Sequence, residues 1–207
     1  MSALDTILGL LDVVAMAAFA ASGALAAARA RMDIVGFALI AAVTGFGGGT
    51  LRDLLLGRLP LFWLKAPGLL ALTTAVAVVV FFGAHRLAGR GHALLWADAL
   101  GLAMYAVLGA EIARTAGADP WAAVLLGVVT ATFGGILRDV ICNQVPLILR
   151  KEIYALAALA GAALFILLCE AEVRRDVAIP AGMALAFAIR AAAIRFGWSL
   201  PPYRGPA

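Results

Sequence analysis

Long apolar stretches alternate with short polar ones along the whole of this chain. The apolar stretches begin near Leu8, Ile34, Pro67, Ala93, Pro120, Ile153 and Val177. They end near Ala28, Leu56, Ala84, Arg114, Cys142, Cys169 and Phe196. Each approaches the ~20 helical residues needed to cross a hydrocarbon layer of ~30 Å. The pattern predicts an all-α integral membrane protein with seven transmembrane helices and no soluble domain. Only Met1-Ser-Ala-Leu-Asp5 precedes the first stretch, without a basic residue, so it reads as a retained span and not as a signal peptide.

The chain resembles itself at a fixed offset, the 86 residues between Asp12 and Asp98. At that offset Gly23 meets Gly109, Asp33 meets Asp119 and Thr44 meets Thr130. Gly48-Gly49 meets Gly134-Gly135, and Leu51-Arg52-Asp53 meets Leu137-Arg138-Asp139. Pro60-Leu61 meets Pro146-Leu147, and Lys65 meets Lys151. The expected organisation is a first three-helix repeat over 8–84, a second over 93–170 and a seventh helix over 177–196. Three spans are an odd number, so the second repeat enters the membrane from the opposite face. Inverted repeats related by an axis in the membrane plane are common in transport proteins, with the site between them near the midplane.

Composition agrees: 65% of residues are hydrophobic and 14% charged, against ~25% charged in soluble domains. The net charge of +4 would suit nucleic acid in a soluble protein. Here the basic residues sit mostly between apolar segments, where they meet headgroups and set orientation, so no nucleic-acid partner is expected. Arg29, Arg31, Arg86, Arg90, Arg150, Lys151, Arg195 and Arg204 fall on one side; Arg58, Lys65, Arg114, Arg174 and Arg175 fall on the other. The richer side is the cytoplasmic one by the positive-inside rule. That puts the N-terminus outside and the C-terminus in the cytoplasm, in a multi-pass protein of the cell (inner) membrane.

Charges inside the apolar segments need another explanation. An ionised residue at the centre of a spanning helix costs at least ~2.5 kcal/mol, and Arg52, Asp53, Arg138 and Asp139 stand in segments two and five. In each, threonine, glycine and arginine recur at i, i+4 and i+8, on one helical face: Thr44, Gly48 and Arg52, then Thr130, Gly134 and Arg138. Glycine costs ~1 kcal/mol relative to alanine within a helix. Gly47-Gly48-Gly49 and Gly134-Gly135 are therefore expected to break or kink their helices, a break freeing carbonyls to face a permeating cation. Asp53 and Asp139 would open the half-helices that follow. The alternative is close packing, glycine letting helices approach and arginine neutralising aspartate.

Other candidates carry less. Asp12 and Asp98 read as interfacial caps or as lining a pore vestibule, and Glu111 as interfacial. Phe62-Trp63, Trp96, Trp121 and Trp198 read as aromatic belts, and His85 and His92 as solvated loop residues. Cys142 and Cys169 have no disulfide or metal spacing; no cofactor, structural metal or enzymatic motif is expected. Lys65, Arg150 and Lys151 read as positive-inside charge or as contacts to anionic lipid headgroups beside the pore.

The doubled motif Gly47-Gly48-Gly49-Thr50-Leu51-Arg52-Asp53 and Gly134-Gly135-Ile136-Leu137-Arg138-Asp139, the seven spans and Lys151-Glu152-Ile153 together resemble the trimeric intracellular cation channels, and more closely their bacterial and archaeal relatives. The resemblance implies a homotrimer with a potassium-conducting pore inside each subunit, open to K+ or also Na+. It places the broken helices around that pore, through Gly47, Gly48, Gly49, Gly134 and Gly135. In animal members the lysine of a Lys-Glu-Val motif binds a phosphoinositide headgroup; here isoleucine replaces the valine. Related bacterial sequences carry the label of glycine transporter, so a secondary transporter of a small solute is the rival reading.

Overall fold

The computed structural model describes residues 3–83, 90–150 and 152–201. Its helices are α1 (Ala3–Arg29), α2 (Ile34–Leu55), a short α3 (Phe62–Lys65), α4 (Gly68–Gly83), α5 (Arg90–Thr115), α6 (Pro120–Ile141), α7 (Ala155–Glu170) and α8 (Arg175–Phe196). A 3₁₀ turn, Leu147–Leu149, precedes α7. The helix starts carry local signals that repeat. The Asp33 side chain accepts from the Gly36 amide at 2.8 Å, and its counterpart Asp119 accepts from the Trp121 amide at 2.9 Å. Each satisfies a donor that has no partner within its own helix. Gly197, in the left-handed region with φ 68°, ends α8. The backbone then turns back, and Ser199 forms an antiparallel bridge with Glu152.

Five helices, α1, α2, α5, α6 and α8, are long and apolar enough to cross a membrane. The other two main helices, α4 and α7, have 16 residues each. At 1.5 Å per residue that is ~24 Å, short of a full crossing over the described residues. They occupy the same place in each repeat. Much of the outer surface is apolar: Val79, Phe82, Leu125 and Leu167 are all exposed, as lipid contact requires. Trp121, Trp96 and Trp198 are exposed in keeping with aromatic belts. Trp63 is not part of such a belt. It stacks on Phe46 at 5.8 Å and donates to the Thr50 hydroxyl at 3.1 Å, while Phe62 meets the same Phe46 ring edge-on. Both residues close the α3 turn onto α2.

Within the first repeat α1 packs on α2 and α4; within the second α5 packs on α6 and α7. The repeats meet through equivalent partners, α1 against α5 and α2 against α6, and α8 lies against α5 and α7. The expected helix breaks are absent. α2 runs unbroken through Gly47, Gly48 and Gly49, and α6 through Gly134 and Gly135. The glycines serve proximity instead. A Cβ on Gly48 would overlap the carbonyl oxygen of Thr130, and one on Gly134 would overlap that of Thr44. These contacts are reciprocal, as an inverted repeat demands. A second matched set joins neighbours: a Cβ on Gly23 would meet Thr44 Oγ1 at 2.5 Å, and one on Gly109 would meet Thr130 Oγ1 at 2.6 Å.

This crossing predicts that Gly48→Leu with Gly134→Leu fails to assemble. The obstacle is backbone and cannot rotate away, so the cost should exceed the ~1–3 kcal/mol usual for overpacking. Detergent-solubilised protein should show a large fall in thermal stability or elute aggregated. A monodisperse, equally stable double variant would overturn the packing role.

Candidate functional site: paired charges between two cavities

The two Arg-Asp motifs close the C-terminal ends of α2 and α6 in matching ways. In the first, Arg52 Nε and Nη2 both donate to Asp53 Oδ1, at 3.0 and 2.8 Å. Asp53 Oδ2 accepts from the Phe62 amide at 3.3 Å, and the guanidinium lies over the Phe62 ring at 5.8 Å. In the second, Arg138 Nε donates to Asp139 Oδ1 at 2.8 Å, and Asp139 Oδ2 accepts from the Leu147 amide at 2.9 Å. Each aspartate thus neutralises its neighbour and caps the short turn that follows. All four side chains are buried, so removing either partner of the first pair would leave a charge uncompensated.

The halves then diverge. Arg138 Nη1 reaches across to α5 and α1, donating to Asp98 Oδ1 and to Ser22 Oγ, both at 2.5 Å. Arg138 and Asp98 are 0% exposed. A Cβ on Gly135 would meet Tyr154 Oη at 2.9 Å, Asp98 Oδ1 at 3.5 Å and Arg138 Nη2 at 3.6 Å, so this glycine leaves room for the cluster. Asp12, the counterpart of Asp98, is half-buried. Among the described residues no basic side chain lies within ion-pair distance of it; Tyr105 Oη donates to its backbone carbonyl at 3.4 Å.

Two cavities flank this core at opposite ends. One, of about 110 Å³, is lined by Asp12, Gly49, Arg52, Asp53, Arg58 and Tyr105, among others. The other, of about 510 Å³, is lined by Ala26, Arg29, His92, Asp139, Cys142 and Arg150, among others. A third, about 300 Å³ and almost wholly apolar, lies on the outer face of the α2–α6 crossing against Gly47, Phe133 and Trp63.

The residues singled out from sequence therefore separate. Gly49, Arg52, Asp53 and Asp139 border the polar cavities, and Arg138 and Gly135 lie beside the buried Asp98. Gly48 and Gly134 form the crossing, and Gly47 borders the apolar groove. The Thr44 and Thr130 hydroxyls donate back to the Ile40 and Leu126 carbonyls, each at 2.6 Å. Arg150 borders the larger cavity and donates to the Val145 carbonyl at 3.1 Å. Lys65 is exposed at the end of α3. Lys151, His85 and Arg86 lie outside the described residues.

Three assignments change. Asp98 is not interfacial: it sits two turns inside α5, bonded to Arg138. Glu111 is buried as well, held between Arg114 at 3.0 Å and Arg175 from the start of α8. His92 lies within α5 and borders the larger cavity. Sequence reasoning also passed over Arg190. It is buried in α8, donates to Glu152 Oε2 at 2.8 Å and to the Ile153 carbonyl at 3.2 Å, and lies over the Tyr154 ring. An arginine in the interior of the last apolar segment was the available signal.

Fold and site define a multi-pass helical membrane protein with inverted repeats and polar cavities between them. Residues 9–86 and 95–170 each match the family described as "Glycine transporter". The "UPF0126 inner membrane protein YadS" of Escherichia coli (strain K12) is 39% identical over 196 residues, covering 93% of this chain and 94% of its own. A "UPF0126 membrane protein" of Vibrio cholerae is 37% identical over 98% of this chain and 85% of its own. Among solved structures, the trimeric intracellular cation (TRIC) channel orthologue from Rhodobacter sphaeroides superposes with a TM-score of 0.91 at 50% identity, covering 93% of this chain and 100% of that one. A prokaryotic TRIC channel crystallised in 0.5 M KCl superposes at 0.88 with 31% identity, over 94% of this chain and 99% of that one. The chain belongs to this family: it is a prokaryotic homologue of the TRIC channels, a trimeric channel family and not an enzyme family.

The asymmetry between the half-sites predicts unequal costs. Asp98→Asn leaves Arg138 with Asp139 as its remaining charge partner in a fully buried position, a loss of about 1–3 kcal/mol. Asp12→Asn breaks no ion pair and should cost under about 1 kcal/mol. Thermal unfolding in detergent compares them directly, and equal destabilisation would contradict the assigned pairing.

Proposed function

We propose that this protein conducts monovalent cations, potassium above all, through a path inside each subunit between the two polar cavities. The observation that carries the reading is the arrangement of those cavities. They lie at opposite ends of the core formed by α1, α2, α5 and α6, each bordered by one copy of the inverted Arg-Asp motif. Buried aspartates supply negative charge along the route, while the paired arginines keep it from holding cations too tightly to release. Gly49, Arg52, Asp53 and Asp139 border its mouths, and Arg138 lies deeper within it; Thr44, Gly48, Thr130 and Gly134 hold the helices that flank it.

The subunits assemble as a homotrimer in the cell (inner) membrane. The N-terminus is outside and the larger cavity, with Arg29 and Arg150, faces the cytoplasm. The names of the relatives support the setting: one is an inner membrane protein, and the solved structures are cation channels. Lys65, Arg150 and Lys151 would meet anionic headgroups at the two faces.

Purified protein in a planar bilayer under a potassium gradient should give discrete current steps, and cross-linking in mild detergent should stop at a trimer. The family description points to a rival, tested in the same preparation. Saturable glycine uptake into liposomes, with no current steps and no potassium flux, would replace the channel by a transporter.

A further inference from the structure

The 86-residue offset that pairs the motifs also pairs Phe19 of α1 with Tyr105 of α5. These two rings touch each other, stacked with centroids 5.5 Å apart and planes at 21°. Residues that are equivalent under the inverted repeat and also in mutual contact must lie on the pseudo-twofold axis. The stack therefore marks the centre of the symmetric core. Phe19 is 1% and Tyr105 4% exposed, and Met16 and Leu102, another equivalent pair, pack in the same cluster.

Helical periodicity places the stack between the two cavities. On α1, Asp12, Phe19 and Ala26 follow at steps of seven residues, hence on one face; Asp12 borders the smaller cavity and Ala26 the larger. On α5, Asp98, Tyr105 and Ile112 follow at the same steps. Ile112 borders the smaller cavity, and Asp98 bonds Arg138, whose neighbour Asp139 borders the larger one. Two facing stripes thus connect the cavities, each with an aromatic ring at its midpoint. Phe19 is also pressed against the α5 backbone: a Cβ on Gly101 would meet its ring at 2.8 Å. Tyr105 leans its hydroxyl toward the Asp12 carbonyl and borders the smaller cavity.

We infer that the Phe19–Tyr105 stack is the constriction that closes the cation path in this conformation, so that permeation requires the two rings to part. The inference rests on the channel reading. Its physical basis is that a cation stripped of water against hydrocarbon faces a steep penalty, and an apolar constriction holds a pore shut by excluding water. The position on the axis makes one stack serve both directions of flow.

The test uses liposomes containing the full-length protein. Phe19→Ala should raise potassium flux roughly tenfold, the change expected for a barrier lowered by ~1.4 kcal/mol. Phe19→Leu keeps an apolar side chain of closer volume and should raise flux less, and it stands in if the alanine variant misfolds. A second measurement does not depend on flux. In a Cys142→Ala, Cys169→Ala background, a Ser22→Cys variant places a thiol one turn beyond Phe19 on the larger-cavity side. A charged, membrane-impermeant thiol reagent applied from the Asp12 face should fail to modify it, and should succeed once Phe19→Ala is added. Modification from that face with Phe19 intact would overturn the inference. So would a folded Phe19→Ala or Phe19→Leu protein whose flux and labelling match the parent. If no protein, the parent included, carries potassium, the channel reading falls while the labelling still decides whether the stack is a barrier.

Discussion

Gly48 on α2 rests against the Thr130 carbonyl of α6, while Gly134 on α6 rests against the Thr44 carbonyl of α2. Lipid supplies no hydrophobic force to draw helices together, so association depends on close van der Waals contact and on polar bonds. Removing the side chain at both contact points lets the two backbones touch. The rest of the site follows from that crossing. Arg52 comes one turn after Gly48, and Arg138 one turn after Gly134. Because the repeats are inverted, the two arginines depart toward opposite ends of the core. Each meets the aspartate beside it, and that aspartate caps the turn leading to the next helix. One local solution is used twice, and it fixes where charge enters an otherwise apolar interior.

The same comparison of magnitudes explains why the helices stay whole. A glycine in a helix costs ~1 kcal/mol, which invites a break when the alternative is water. Within a membrane each unpaired backbone group costs several kcal/mol, and a break frees several at once. Three consecutive glycines in α2 do not reach that sum, so the chain keeps its hydrogen bonds and uses the missing side chains for proximity. Composition alone showed the glycines and their repetition; it could not show which carbonyl lay opposite.

Legibility in the sequence divided along the same line. Seven helices and the repeat were readable, because hydropathy and the fixed offset determine them; the caps at Asp33 and Asp119 emerged only with the structure. The burial of Asp98 and Glu111 was not readable, because each depends on an arginine from a distant helix: Arg138 on α6 for the first, Arg175 on α8 for the second. Both acids stood near the ends of apolar segments and so looked interfacial. The Phe19–Tyr105 stack was concealed differently. The two residues align at the repeat offset, but an apolar ring in an apolar span carries no compositional signal until contact is seen.

Divergence between the repeats has the opposite character, since it appears only against their symmetry. Ser22 bonds Arg138, and its equivalent is Leu108, which has no acceptor to offer Arg52. Asp98 is tied to Arg138, and its equivalent Asp12 carries no ion pair among the described residues. The backbone and the Arg-Asp caps therefore repeat, while the contacts Arg138 makes to α1 and α5 have no counterpart at Arg52. The larger cavity gathers Arg29, His92 and Arg150 around Asp139, and the smaller sets Asp12 and Asp53 beside Arg52 and Arg58. Under the channel reading a cation entering from the two faces meets different charges before reaching the same aromatic stack. On one approach it meets Asp12, without an ion pair among the described residues, beside the Arg52–Asp53 pair; on the other it meets Asp139 already occupied by the Arg138 guanidinium. Directional differences in conduction would then come from side chains at the two mouths and from Ser22, with the symmetric helix crossing contributing equally to both.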